Sequence, residues 1–409
     1  MYFKNLEINS WQQFEKISIN FDNKLTILTG ANGSGKTTLL NLLARHSGWQ
    51  INSLATPKQD KKTKFIKYVS NLFNINETNN ITTIGKISYD TNQIADINVP
   101  TQNNAQYVVQ IQAQQPLKCF FIPSHRSIFK YQKVQNIPTG KKTKQTAFSE
   151  VSNSTRQRFQ GNGSADNNSF LMKNTLIGWA IQGYGNQVML EDQELIDNYE
   201  GFKEILKIVL PKTLGFETFE IRDMEIVFVC NNGNDEFLLE TASGGIGAII
   251  DMAWQIYMYA TIENDKFTVI IDEIENHLHP TMQRSVLPSF IDAFKDTNFI
   301  VSTHSPLIVG SVKESITYAL KYNENKKIES YKLDFKEQIK SATEILDEVL
   351  GVSFTMPIWV EEKLTETVEK YTAKEMNQED FSNLRAELQE IGLEKLVPQA
   401  IMDVVKNKS

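Results

Sequence analysis

The eight residues Gly30-Ala-Asn-Gly-Ser-Gly35-Lys36-Thr37 constrain this chain more than any other feature. They match GxxxxGK[ST] in full. They follow the apolar run Leu25-Thr-Ile-Leu-Thr29 and lead into Thr37–Ala44, whose apolar residues recur at helical spacing. Strand, glycine loop and helix in that order form an anion site, because backbone amides and a helix N-terminus converge on one point. A chain built around it has to lay a buried strand beside a crossover helix, which predicts an α/β fold. In such a loop Lys36 reaches the β and γ phosphates and Thr37 offers its hydroxyl to Mg²⁺. Gly30, Asn32, Gly33, Ser34, Gly35 and Thr38 complete the expected nucleotide contacts.

Three further motifs follow in fixed order. Phe267-Thr-Val-Ile-Ile-Asp272-Glu273 is an apolar strand ending in two acids. Asp272 is expected at the sheet's carboxyl edge, holding Mg²⁺ through water. Glu273 is expected to polarise the attacking water as general base. Ser243-Gly244-Gly245 directly precedes the helical stretch Gly247–Ile262, a second anion-binding helix start. One triphosphate has no use for two such sites in one chain, so the second is assigned to the γ-phosphate held by a neighbouring copy. His304 ends the strand-like run Asn298–Thr303, where it can contact the γ-phosphate and order water and base. Together these motifs predict an ATP- and Mg²⁺-dependent ATPase acting as a homodimer or higher homo-oligomer. His277 and His279 stand two apart in a loop with no third ligand in suitable register, so a subunit interface suits them better than a metal.

The chain has 409 residues, room for one large or two ordinary domains, and a net charge of −7. No run approaches the roughly 18 apolar residues of a membrane span, and Met1–Glu7 lacks a signal-peptide layout. Cys119 and Cys230 fit neither a disulfide framework nor a metal spacing. A cytoplasmic protein is expected. The charge is uneven: Leu117–Gln160 carries nine Lys/Arg against one acid, and Asp334–Ser409 carries nine against sixteen. The basic tract Lys118–Arg158, with Phe129, Tyr131 and Phe148 interleaved, is either a nucleic-acid backbone contact or a solvated loop. Arg126, just after a strand, is a separate candidate for approaching the nucleotide. The acidic tail has the wrong sign for nucleic acid and suits a helical cap or a protein contact.

The chain is expected to divide at about 333: residues 1–333 carry the four motifs, with a stretch at about 50–235 inserted between the first and the rest, and 334–409 form a C-terminal acidic helical subdomain. Within the insertion, 47–115 is expected to be an antiparallel β subdomain. Phe170–Gly185 and Glu191–Val209 are expected helices, and Glu220–Cys230 with Glu236–Glu240 a hairpin. Gly161–Asn168 is a loop. The tail is expected to hold helices at about Ile339–Leu350, Val360–Met376, Asp380–Ile391 and Leu393–Val405.

These motifs resemble the ABC-type ATPase superfamily, in the branch that includes SMC proteins, RecF and the OLD-family ATPases. The loop Glu273-Ile-Glu-Asn-His-Leu-His-Pro280 resembles the RecF/OLD form. Trp11-Gln-Gln-Phe14, the phosphate loop and Arg45-His-Ser-Gly-Trp49 are similar to AAA-type ATPases of bacterial antiphage systems, such as those of Septu and PARIS. The resemblance implies an ABC-type head with mixed β-sheet, flanking helices, an inserted helical region and a C-terminal helical cap. It also implies composite sites in which Ser243, Gly244 and Gly245 act on the partner's ATP. Ala242 and Ile246 depart from the Leu and Gln of the best-known signature, and Gln114 or Gln115 is the candidate for its metal-sensing glutamine. Only about 100 residues follow His304, without an acidic DxD pattern, so any nuclease effector is expected on a separate chain. The implied function is the sensor or scaffold subunit of an antiphage complex; the alternative is a RecF-like repair ATPase acting directly on DNA.

Overall fold

The computed structural model describes residues 1–21, 24–59, 64, 66–69, 81–100, 104–137, 140–161, 166–261, 266–334, 358–372, 378–390 and 397. Contacts divide the chain into two compact units, Met1–Ile345 and Leu346–Ser409.

The first unit opens with β1 (Phe3–Trp11), β2 (Phe14–Asn20) and β3 (Leu25–Gly30), followed by α1 (Lys36–Ala44). Short strands β4 (Ser53–Leu54), β5 (Thr56–Gln59) and β6 (Ile66–Val69) precede the long pair β7 (Ile81–Tyr89) and β8 (Ile94–Pro100). Then come β9 (Gln106–Tyr107), β10 (Gln110–Gln112) and β11 (Cys119–Ile122). Three helices follow: α2 (Lys144–Phe159), α3 (Asn168–Gly183) and α4 (Gln193–Val209). A small sheet of β12 (Phe216–Arg222), β13 (Glu225–Cys230) and β14 (Asp235–Leu238) leads to α5 (Gly244–Tyr259). The unit then runs through β15 (Phe267–Ile271), α6 (Pro280–Ala293), β16 (Thr297–Thr303) and α7 (Pro306–Val309) to β17 (Ile316–Tyr322) and β18 (Ile328–Lys332).

Eleven strands form one mixed sheet in the order β10-β8-β7-β1-β2-β18-β17-β3-β16-β15-β11. The five strands from β17 to β11 are parallel, and every residue of β3, β11 and β15 is buried. Burial on both faces is why these segments read as unbroken apolar runs. Of the antiparallel region expected at 47–115, β7, β8 and β10 form the outer wing of the same sheet, β7 pairing with β1, while β4 with β9 and β5 with β6 make two separate two-stranded sheets. β7 and β8 mix buried and exposed residues along their length, unlike the wholly buried parallel strands.

Helices α2 to α5 pack together beyond the parallel strands. All fourteen residues from Gly245 to Met258 are buried, so α5 is surrounded on every face. Trp254 anchors it between Trp179 of α3 and Phe202 of α4, at ring separations of 5.8 and 4.9 Å. The expected strand Glu220–Cys230 is two strands: Asp223 and Met224 both take left-handed φ, 49° and 61°, and close a tight turn between β12 and β13. In the second unit, α8 (Ile358–Thr372) and α9 (Gln378–Glu390) bury Val368, Tyr371, Leu384 and Leu388. The helices expected at Ile339–Leu350 and Leu393–Val405 lie outside the described residues apart from 397, as do 162–165 of the Gly161–Asn168 loop and 373–376.

Candidate active site

The register of the parallel strands brings the motifs to one edge. Thr303 pairs with Thr29, and Ile271 with Val301, so the loops after β3, β15 and β16 leave the sheet level with one another. Ligands of open α/β sheets bind at such carboxyl ends.

After β3, Gly30, Gly33 and Gly35 take φ of 146°, 78° and 85°. Close approach reinforces the need for glycine: a Cβ on Gly30 would sit 2.5 Å from the Leu320 carbonyl oxygen, and one on Gly35 would sit 2.4 Å from Phe14 Cζ. Gly35 is also the N-cap of α1 and supplies no side-chain cap, which turns the first-turn amides toward the loop. Ala31, Asn32 and Gly33 form the exposed tip, while Ser34 and Lys36 are buried. The Ser34 hydroxyl is buried without a hydrogen-bond partner, as suits a group made for a phosphate oxygen. Lys36 Nζ donates to the carbonyls of Gly30 (2.9 Å) and Ala31 (3.2 Å) and lies 3.2 Å from His304 Nδ1. Burial pulls its pKa down to about 8, against the opposing pull of Glu275, Glu273 and Asp272.

Thr37 Oγ1 donates to Asp272 at 2.9 Å, and Ser302 Oγ donates to the other carboxylate oxygen at 2.5 Å. Asp272 is 1% exposed, and burial raises its pKa while the Ser302 and Thr37 hydroxyls work against that rise. Thr37 and Asp272 thus offer two adjacent hard oxygen donors. Their hard oxygens fit the donor set that Mg²⁺ takes. Ser302 also accepts the Glu273 amide at 2.8 Å, so one hydroxyl sets both acids. The Glu273 carboxylate receives Asn276 Nδ2 at 2.8 Å and lies 3.7 Å from His304 Nε2. An acid held like this beside a histidine and a cation-bearing loop can take a proton from water as it attacks phosphate.

The sequence reading missed Ser302 and Asn276 as site residues, although both lie inside motifs it singled out. It also misdirected Arg126. The guanidinium is buried under the loop after β15, bonded to the carbonyls of Asp272, Glu273 and Asn276, because β11 ends alongside β15. Ser243 and Gly244 stand exposed at the start of α5, and the Ser243 side chain does not cap its own helix. Gly245 packs on the next loop, where an added Cβ would meet the His277 carbonyl oxygen at 2.9 Å. His277 is exposed with φ of 70°, and His279 caps α6 by accepting the Thr281 amide at 3.4 Å. Gln114 donates to the Arg45 carbonyl and Gln115 to the Ala113 carbonyl.

Beside the loop, a cavity of about 560 Å³ is lined by Thr38 and Asn41 of α1 and by Arg45 just after it, together with Trp11, Gln12 and Gln13. It is large enough for the base and ribose of a nucleotide whose phosphates lie on α1. Trp11 and Gln12 are held there by the Tyr107 hydroxyl, at 3.2 and 3.1 Å.

Comparison with known proteins places the chain in a family. A family model described as an AAA domain matches residues 5–212, and a second AAA-domain model, associated with type IV toxin–antitoxin systems, matches residues 124–310. Septu protein PtuA of Bacillus thuringiensis is 22% identical over 381 residues, covering 88% of this chain and 87% of that protein. The Retron Ec83 probable ATPase of Escherichia coli is 27% identical over 115 residues, 26% of this chain and only 21% of that protein's length. The SMC head domain from Thermotoga maritima matches at 13% identity and a TM-score of 0.43, covering 82% of this chain and all of that one. The chain belongs to the AAA-domain family and is an ATPase.

Proposed function

We propose that this chain is the ATP-hydrolysing sensor or scaffold subunit of an antiphage defence system, in which ATP clamps two copies head to head and controls a separate effector, a nuclease. In each site Lys36 and the α1 amides hold the triphosphate, Glu273 takes the proton of the attacking water, and His304 orients both. Thr37 and Asp272 would hold Mg²⁺, which would supply charge neutralisation on the triphosphate. Ser243–Gly245 of the second copy closes over the γ-phosphate. The observation that carries the dimer reading is the exposed Ser243 at a helix start it does not cap, since a free helix N-terminus is an anion site in want of an anion.

Similarity to Septu PtuA along most of both chains supports the defence setting over a repair ATPase working directly on DNA. So does the fate of the basic tract, where many cations bond within the protein. Lys141 pairs with Asp192 and Glu194, and Lys142 with Glu150. Lys144 sits over the Tyr257 ring, Arg156 donates to the Ser47 carbonyl, and Arg158 donates to Asn168.

The test is the ATP-dependent mass of Glu273→Gln in solution, with and without Ser243→Arg. The proposal expects an ATP-stabilised dimer that the second change abolishes while each chain still binds ATP. An equally dimeric double variant overturns the trans assignment. Affinity purification with ATP should bring down a stoichiometric nuclease; recovery of the chain alone, or with DNA and repair factors, favours the RecF-like alternative.

A further inference from the structure

Arg126 belongs to no phosphate-binding motif, yet its guanidinium is buried (9% exposed) at the centre of the head. One terminal nitrogen donates to the carbonyls of Asp272 (3.3 Å) and Glu273 (3.0 Å), and the other donates to that of Asn276 (3.2 Å). These carbonyls bracket the turn that carries the base. Glu273 there adopts φ of 46°, a left-handed conformation costing a non-glycine residue roughly 1–3 kcal/mol unless its surroundings impose it. The same turn is gripped a second time, since Asn276 Nδ2 donates both to Glu273 Oε2 (2.8 Å) and to the Ser124 carbonyl (3.2 Å).

A buried cation needs a counter-charge. The carboxylates near Arg126 are Asp251, Glu275, Asp272 and Glu273, and Asp251 lies on α5, 1% exposed, where burial raises its pKa. Asn168 and Gln255 donate to it at 2.8 and 3.0 Å, and Arg158 donates to Asn168 at 2.8 Å. The helix that begins with Ser243–Gly245 thus also carries a buried carboxylate near Arg126.

We infer that Arg126, balanced by Asp251, is a positioning residue that aims Glu273 and ties its turn to α5. The inference rests on Glu273 being the general base, as proposed above. Lysine cannot replace Arg126, because one ammonium does not reproduce a planar fork bonded to three carbonyls.

The test uses the full chain carrying Arg126→Lys, Asp251→Asn or both, with steady-state ATPase kinetics, ATP binding and thermal melting read side by side. The expected result for Arg126→Lys is a fall in kcat of about 10²-fold, the usual cost of misplacing a catalytic group by about 1 Å, with KM and ATP affinity within about threefold. Asp251→Asn lowers kcat in the same sense, and the double variant is no worse than Arg126→Lys, because the two act as a unit. Should Arg126→Lys not fold, Asp251→Asn carries the same reading. Wild-type kcat in a folded variant overturns the inference, as does a parallel loss of kcat and ATP affinity. Glu273→Gln run alongside separates the two readings: full activity there refutes the base assignment, whereas a dead Glu273→Gln beside an active Arg126→Lys refutes only this inference.

Discussion

Lys36 and His304 face each other across the phosphate loop, with Nζ 3.2 Å from Nδ1. A lysine only donates, so Nδ1 accepts and the ring proton sits on Nε2. That nitrogen is the one directed toward Glu273, 3.7 Å away. The contact thus fixes the histidine tautomer and hands Glu273 a donor. Replacing His304 with Ala should lower kcat by about 10²-fold, at the lower end for acid–base machinery. ATP affinity should change little. Phosphate release and nucleotide titration measured on one preparation check this, and an affinity loss as large as the rate loss would show that His304 binds rather than orients.

Glu273→Gln keeps the size and the Asn276 contact of the side chain but removes its basicity. Turnover should fall by roughly 10²–10⁴-fold with ATP still bound. Removing divalent ions with EDTA should stop hydrolysis in the unmodified protein too, because Thr37 and Asp272 lose the ion they are built to share. Single-turnover assays separate bound ATP from cleaved ATP; unchanged cleavage by Glu273→Gln moves the base elsewhere.

The parts of the site legible in the sequence are those that use backbone geometry or unbroken burial. Gly30, Gly33 and Gly35 are needed for positive φ, and β3 and β15 show their two buried faces as continuous apolar runs. Helix α2 was not legible: its buried residues are Ala147, Val151, Ser154 and Thr155, too small and too polar to register as an apolar stripe. Ser302 looked like an ordinary strand residue, because its role depends on β16 lying beside β15. Arg126 looked free for a ligand because nothing local reveals Asp251, 125 residues away in the chain. Long-range charge pairing leaves no periodic signal.

Lys173 makes the point for stability. It is fully buried between Glu225 and Glu240, 2.9 Å from the latter, and also donates to the Gln132 carbonyl at 3.1 Å. Glu240 lies in the single turn that delivers Ser243. Lys173→Met strands the buried Glu240 carboxylate and takes the cation from the partly exposed Glu225, and should cost about 3–5 kcal/mol. Adding Glu240→Leu should restore part of that loss by removing the stranded charge. Urea unfolding of both variants decides it, and a double variant no more stable than the single would show that packing, not charge, governs this spot.

His46 predicts how the fold responds to acid. Its Nδ1 lies 3.1 Å from the Leu43 carbonyl, so that nitrogen carries the proton, and Nε2 accepts from the Tyr89 hydroxyl at 2.8 Å. Burial holds the ring neutral and pushes its pKa down to about 4. In the unfolded chain it titrates near 6.5. Between those values the unfolded state binds the extra proton, so stability is full above pH 6.5 and falls as pH drops toward 4. The slope approaches 1.4 kcal/mol per pH unit, so going from pH 7.5 to 5 should cost about 2 kcal/mol through this residue alone. His46→Gln, which titrates in neither state, should lose that much less over the same interval. Urea midpoints for both proteins at the two pH values measure the difference, and equal losses would mean that His46 does not set the acid limb.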